Sequence, residues 1–199
     1  MFKRKWIQYY DELPKCLYSC ISVDATFKDG DNDDNVSITA WGKLNNDYYL
    51  IDRDNSKKDF PTTLEAIVKM KNKYPNVNSI MIEDKANGSA IISVLRQQMS
   101  GIIPVEPEGG KIARANAICP LFEAGNVFLP NKLWVNDYVE ELMSFPSGKH
   151  DDDVDSTSQA LNRMRIINAM MPTPEIKPIF NFEIERPKTQ DYGSRIEVV

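Results

Sequence analysis

Three segments near the start of the chain are rich in β-branched and aromatic residues and are separated by polar stretches, which is typical of strands. Asn45 and Asn46 lie between the second and third segments, where a tight hairpin turn is expected. Three consecutive strands of this kind predict an antiparallel meander. The segments are residues 15–27, 36–43 and 47–53.

After these strands, the apolar residues alternate between helical and strand-like spacing. Residues 60–74 have apolar positions at helical spacing, and Thr62 or Thr63 is expected to cap this helix. Residues 77–84 include a short, continuously apolar stretch, as expected for a strand buried on both faces of a sheet. Further helices are predicted at residues 88–99, 110–125, 134–145 and from residue 151 onward, and further strands at residues 101–107 and 126–130.

This order of elements predicts the fold class. The helix that follows the meander crosses to strands that join the sheet in parallel, so we expect a mixed α/β sheet flanked by helices, the ribonuclease H-like arrangement. Residues 1–171 are expected to form this domain. Residues 172–199 are rich in proline and polar residues and are predicted to be a tail that adds no core.

Composition limits the class of protein. The chain has 199 residues, enough for one sizeable core, and no apolar run of membrane-spanning length. Its formal net charge of −5 argues against a free-standing nucleic-acid binder, but not against an enzyme whose acidic site is neutralised by metal ions. The single histidine, His150, excludes a zinc site built on several histidines. The three cysteines lack zinc or redox spacing, so we expect reduced thiols in a cytosolic protein.

Acidic side chains lie at three element ends that this fold can bring together. Asp24 lies in the middle or at the end of the first predicted strand, and Glu83 and Asp84 close the fourth. A run of acids opens the last helix. If the first and fourth strands are neighbours, these carboxylates converge, and convergent carboxylates suit Mg²⁺ or Mn²⁺. The run comprises Asp151, Asp152, Asp153 and Asp155.

Each acidic group also has a structural interpretation. The run at the last helix fits a capping residue with solvated neighbours, and Glu83 with Asp84 fits the start of a polar loop. Asp24 is harder to explain, because a carboxylate between apolar residues needs a partner or a metal. The acidic stretch 29–34 lacks the glycine and glutamate of a calcium loop and is interpreted as a solvated hairpin loop.

Four stretches of the chain are similar to a known family. They read SVDATFK, IEDKANGSAIISVLR, EGGKIARANAICPLFEAGNVFLP and FPSGKHDDDVDSTSQAL. Together they resemble the C-terminal nuclease domain of the large terminase subunit of tailed bacteriophages, which belongs to the ribonuclease H-like superfamily. The resemblance spans residues 19–169.

The resemblance implies an endonuclease that uses two Mg²⁺ or Mn²⁺ ions to cut concatemeric double-stranded viral DNA during packaging. It implies an ATPase motor domain, a portal protein and a small terminase subunit as partners, and no membrane. It places the protein in the cytoplasm of the bacterial host and transiently at the procapsid portal. The chain contains no GxxxxGK[ST] phosphate-binding loop, so we expect the nuclease half alone.

The resemblance also assigns catalytic residues in the two strands. Asp24, in SVDATFK, matches the first metal-bridging acid. The second lies in IEDKANG, where Glu83 is preferred because it continues the strand and Asp84 remains an alternative.

In the acidic run, the third ligand is expected to be Asp152. Asp151 is expected to cap the helix, and Asp155 to be an alternative ligand or to support the ligands. Asp153 lies about 100° around the helix from Asp152 and is expected to face solvent.

Basic residues near the acids have two interpretations. They contact DNA phosphates, or they are surface charges and carboxylate partners. His150 is also a candidate proton shuttle. The residues are Lys28, Lys85, Lys111, Arg114, Lys149 and His150.

Two other functions remain open from the sequence. One is a resolvase-like or transposase-like nuclease with the same fold. The other is a docking module for the portal or the small terminase that has kept the fold but not the chemistry. Loss of acids would mark such a module, and here the acids are present.

Overall fold

Seven strands form one mixed sheet in the computed structural model, which describes residues 1–25, 35–85 and 87–168. The strands are β1 (Gln8–Tyr10), β2 (Tyr18–Asp24), β3 (Asn35–Leu44), β4 (Asp47–Lys57), β5 (Ser79–Glu83), β6 (Ile102–Val105) and β7 (Val127–Pro130). Their order across the sheet is β1-β7-β4-β3-β2-β5-β6.

The pairing confirms the predicted fold class. β2, β3 and β4 form an antiparallel meander, and Asn45 in the β3–β4 turn has the positive φ of 55° that such a turn requires. β5 joins β2 in parallel, β6 joins β5, and β7 joins β4. The sheet is therefore the ribonuclease H-like mixture of a meander and parallel strands.

Helices cover both faces of the sheet, and a short 3-10 helix (Arg4–Trp6) precedes β1. α1 and α2 lie on one face, and α3, α4 and α5 lie on the other. None of the described helices is long and apolar enough to cross a membrane. The bounds are α1 (Phe60–Lys73), α2 (Asn87–Gln98), α3 (Lys111–Glu123), α4 (Val135–Ser144) and α5 (Asp152–Asn168).

Two apolar cores follow from the alternation of side chains along the strands. On β2, Ile21 and Val23 point to the α1–α2 face, whereas Cys20 points to the α3–α5 face. The central strands are buried on both sides, which explains the continuously apolar pattern at β5. In α5, the apolar residues Val154, Leu161 and Met164 are buried, and Ile167 is partly exposed.

Two local features differ from the sequence prediction. The strand β1 was not predicted, because its three residues show no apolar alternation and it forms only by pairing in parallel with β7. The cap of α1 is Asp59 and not Thr62 or Thr63, since its side chain accepts a hydrogen bond of 2.9 Å from the Thr62 amide. The helix begins at Phe60, so the two threonines already lie in its first turn.

Three predictions fall outside the described residues. They are the loop at 29–34, the site residue Lys28 and the tail at 172–199.

Candidate functional site

Asp24 and Glu83 end two neighbouring parallel strands at the same level of the sheet. The last paired residues of β2 and β5 are Val23 and Ile82, and the two acids follow them directly. Paired residues of parallel strands point to the same face. Asp24 is 5% exposed, and the Glu83 side chain is 15% exposed. This pairing confirms the prediction that the first and fourth predicted strands, now β2 and β5, are neighbours in the sheet.

Both acids point to the face that α5 covers. Asp24 is four residues after Cys20, and Glu83 is two residues after Met81; both apolar residues belong to the α3–α5 core. Because side chains alternate with a period of two, the acids share that face. Their carboxylates therefore lie beneath the helix that carries the acidic run.

α5 runs antiparallel to β2 and begins at the Asp24 end of that strand. Ser22 Oγ donates a hydrogen bond of 2.7 Å to the Ser156 carbonyl, and Gln159 Nε2 donates to Ser22 Oγ at 2.9 Å and to the Met81 carbonyl at 3.3 Å. Asp152 lies two turns before Gln159 on the same stripe of the helix. It therefore lies at the end of the helix that is nearest the carboxyl ends of the two strands.

Asp152 has a perturbed acidity. Its side chain is 21% exposed, and His150 Nδ1 is 3.9 Å from its Oδ2. Burial, followed by the charge of Asp151, raises the pKa of Asp152 to about 6, against the lowering effect of His150 and Lys111. A bound divalent cation would relieve this crowding of negative charge.

Asp153 is buried, so the prediction that it faces solvent is wrong. It has no exposed surface, and its Oδ2 accepts hydrogen bonds from Arg53 Nε at 2.7 Å and Arg53 Nη2 at 2.5 Å. Its Oδ1 accepts from Ser37 Oγ at 2.7 Å. A rotation of about 100° from Asp152 leads to β3 and β4 rather than to water, because the sheet extends beneath this side of the helix.

Arg53 is a site residue that the sequence prediction missed. It lies in β4, and its side chain is 13% exposed. Its neighbour Asp52 points to the opposite face, where Lys73 Nζ and Tyr74 Oη donate to it. The sequence contains one signal of this arrangement. Asp52 and Arg53 have opposite charges and are adjacent at the end of a predicted strand, so each points to a different face of the sheet and needs an ionic partner there.

The first amides of α5 are capped by Glu141 of α4, so the prediction that Asp151 caps the helix is wrong. Glu141 Oε1 accepts from the Asp153 amide at 2.6 Å and from the Val154 amide at 3.4 Å. Asp151 instead accepts from Lys111 Nζ at 2.8 Å. Burial and then the charge of Asp153 raise the pKa of Glu141 to about 8, against the lowering effect of the amide bonds.

Three of the predicted DNA-binding residues pair with carboxylates. Asp155, which is 4% exposed, accepts from Lys111 Nζ and Arg114 Nη2 at 2.8 Å each, and Lys85 Nζ is 3.3 Å from Glu83 Oε1. The bonds to Asp151 and Asp155 raise the pKa of Lys111 although burial opposes this.

One cleft lies beside the start of α5, and another lies beside its later turns. The first, of about 430 Å³, is lined by Arg53, Glu141, Lys149 and His150, and the last two are exposed. The other, of about 370 Å³, is lined by residues of β5, α3 and α5. Its lining includes Glu83, Glu106, Arg114, Gln159 and Arg163.

The donor chemistry of this region fits a hard divalent cation, because every candidate ligand is a carboxylate. As the side chains stand, no three His, Cys, Asp or Glu residues in the described ranges are arranged to hold a metal. The protein's own cations hold several of the carboxylates instead. Asp84, the alternative to Glu83, accepts a hydrogen bond of 2.5 Å from Ser89 Oγ. The assignment of ligands therefore stays a prediction.

Comparison with known proteins gives one family and a consistent set of structures. A family model described as the terminase RNaseH-like domain matches residues 21–164. The large terminase nuclease of thermophilic phage G20c with bound zinc is 17% identical, has a TM-score of 0.60, and is matched over 80% of this chain and 95% of its own. The same nuclease with bound magnesium is 15% identical with a TM-score of 0.62, over 80% of this chain and 94% of its own.

A longer relative is matched over part of its length. The large terminase of a second thermophilic bacteriophage, in complex with ADP, is 12% identical and has a TM-score of 0.66. The match covers 82% of this chain and 44% of that large terminase, so this chain spans less than half of that relative. Comparison with curated protein sequences found no match.

Proposed function

Because the chain belongs to the terminase RNaseH-like domain family, we propose that it is a metal-dependent endonuclease that cuts concatemeric double-stranded viral DNA during genome packaging. The observation that carries the proposal is the shared position of Asp24 and Glu83 at the ends of β2 and β5, with the acidic start of α5 above them. Little sequence preference is expected, since DNA contacts from surface cations reach phosphates rather than base edges.

Asp24, Glu83 and Asp152 are the proposed ligands for two Mg²⁺ or Mn²⁺ ions, with Asp84 as the alternative on β5 and Asp155 as a supporting carboxylate. The crystals of the G20c nuclease with bound zinc, cobalt and magnesium support a divalent cation in this family. When bound, such ions supply an activated water and stabilise the leaving oxygen of the phosphodiester.

The protein's own residues provide position and charge. The two strands hold Asp24 and Glu83 rigidly, and burial beside α5 limits the water around them. Lys149 and His150 are exposed beside the start of α5, and their proposed role is to contact phosphates of the DNA. Lys85, Lys111 and Arg114 would reach phosphate only after exchanging their carboxylate partners.

The wider assembly belongs to the same proposal. An ATPase motor domain, a portal protein and a small terminase subunit are the proposed partners, in the host cytoplasm and transiently at the procapsid portal. The match to less than half of the longer large terminase supports a second functional part in the complete protein. A motor or portal that holds the DNA would compensate for the weak attraction expected of a chain with net charge −5.

Metal-dependent nicking of supercoiled plasmid tests the proposal. We expect nicking in Mn²⁺, none in EDTA, and none by Asp24→Asn at any Mn²⁺ concentration. Asp24→Asn should keep or raise its melting temperature in EDTA, because one charge leaves a crowded acidic region. Asp54→Asn, which removes an aspartate of β4 that pairs with Lys58, is the matched control and should cleave normally.

Two results would contradict the proposal. Full activity of Asp24→Asn would remove Asp24 from the ligand set. Wild-type protein that binds the portal or small terminase but nicks no DNA in Mg²⁺ or Mn²⁺ would favour the docking module.

A further inference from the structure

The first turn of α5 carries consecutive acids, so the acid that faces the strand ends depends on how this turn is held. The apolar contacts of the helix begin at Val154 and continue through Ala160, Leu161 and Met164. Asp152 lies ahead of them, in the turn where helices fray. Something other than the apolar core must therefore position Asp152.

The contacts that hold this turn converge on Asp153. Two nitrogens of Arg53 donate to its Oδ2, and Ser37 Oγ donates to its Oδ1, so both carboxylate oxygens are held. Ser37 Oγ also lies 2.8 Å from Ser156 Oγ, one turn further along the helix. Glu141 accepts a hydrogen bond from the backbone amide of Asp153.

We propose that Arg53 is a positioning residue, which holds Asp153 against β3 and β4 so that Asp152 faces the ends of β2 and β5. The inference rests on the proposed function, because it concerns the residue that would bind the metal. Neighbouring positions on a helix differ by about 100°, so fixing Asp153 on one side fixes the direction of Asp152. Without this contact, Asp152 and Asp153 could each occupy the position that faces the ends of β2 and β5.

The position of Arg53 makes it suited to this role. It lies in the part of β4 that pairs with β3, opposite Thr39, so its backbone cannot shift easily. Its guanidinium offers several N–H groups in one plane, and two of them meet a single oxygen of Asp153. An ammonium at the same place would offer one point of attachment and less control of direction.

Removing Arg53 alone leaves the charge of Asp153 buried without a partner, which destabilises a fold for reasons unrelated to the site. The double variant Arg53→Met with Asp153→Asn removes both charges and keeps similar volumes. Arg53→Lys keeps the charge and therefore the fold, but loses the planar set of donors. Arg4→Met is the matched control, since the ion pair of Arg4 is exposed and is formed with Glu140 rather than with an acid of α5.

The deciding measurement is the Mn²⁺ affinity of each variant. It is read from the electron paramagnetic resonance signal of free Mn²⁺, at a temperature well below each melting temperature. We expect the double variant to bind Mn²⁺ at least about tenfold more weakly than the wild type, and Arg53→Lys to lie between them. Arg4→Met should match the wild type. In plasmid nicking, kcat at a fixed, subsaturating Mn²⁺ concentration should fall in step and should recover as Mn²⁺ is raised, which a loss of folded protein would not produce.

Wild-type Mn²⁺ affinity in Arg53→Lys and in the double variant would overturn the inference. If the double variant does not fold, Arg53→Lys alone decides: weaker binding supports positioning, and unchanged binding refutes it. A wild-type protein that binds no Mn²⁺ refutes the proposed function itself, so the two failures are distinguishable.

Discussion

Replacing Glu141 by glutamine should stabilise the metal-free protein at alkaline pH, because it removes a buried charge and keeps the cap of α5. Glu141 Oε1 accepts from the amides of Asp153 and Val154, and a glutamine carbonyl can accept both. Asn55 Oδ1 is buried and has no hydrogen-bond partner among the described residues, while Asn55 Nδ2 lies 3.4 Å from Glu141 Oε2. After rotation of the Asn55 amide, the glutamine Nε2 would donate to that oxygen.

The sign and size of the effect follow from the pKa of Glu141. Burial and the charge of Asp153 raise this pKa from 4.5 to about 8. Between these values the folded protein binds more protons than the unfolded chain, so its free energy of unfolding falls as the pH rises. At 1.36 kcal/mol for each pKa unit the ceiling is about 5 kcal/mol. Asp152 and Asp153 share the same repulsion, so we expect about 1–3 kcal/mol.

Urea denaturation in EDTA, followed by circular dichroism, measures the effect. We expect Glu141→Gln and the wild type to be similarly stable near about pH 5 and the variant to be more stable near about pH 8.5. Glu140→Gln is the matched control, because Glu140 is the next residue of α4 and its side chain is 67% exposed. It should follow the wild-type curve at both pH values. A variant that is less stable than the wild type at the higher pH would refute the charge argument and leave Glu141 as a carboxylate the fold requires.

Three further predictions concern other parts of the molecule. Asp152→Asn should abolish Mn²⁺-dependent nicking without lowering the melting temperature in EDTA. Asp153→Asn should instead lose about 3 kcal/mol of stability, because Arg53 loses its ionised partner. The reverse pattern would exchange the roles of the two aspartates. Burial lowers the pKa of Lys43 from 10.5 to about 8, so the unfolded chain binds more protons between these values and stability should rise with pH there; Lys43→Met should remove that slope in urea denaturation. DNA binding by the wild type should be weak and should fall steeply with added salt in fluorescence anisotropy, and salt-insensitive binding would contradict this.

The sequence alone determined the order of the elements that follow β1, the class of fold and the family. Apolar spacing separates strands from helices within a short window, and three consecutive strands followed by alternating elements leave few ways to build a sheet. The same local pattern put Asp24 and Glu83 at strand ends, and pairing of β2 with β5 in parallel confirmed that these ends are neighbours.

Only the tertiary structure decided which acids are partners of which cations. Asp153 and Arg53 are 100 positions apart in the chain, and nothing local to either residue identifies the other as its partner. The cap of α5 likewise comes from Glu141 on another helix, and β1 forms only against β7. The position of a residue in a helix determines the direction in which its side chain points around the helix axis. Whether solvent or a guanidinium group lies in that direction depends on elements that are distant in the chain. For this reason the sequence predicted a crowded helix start, and the fold alone separated the buried structural aspartate from the candidate ligand beside it.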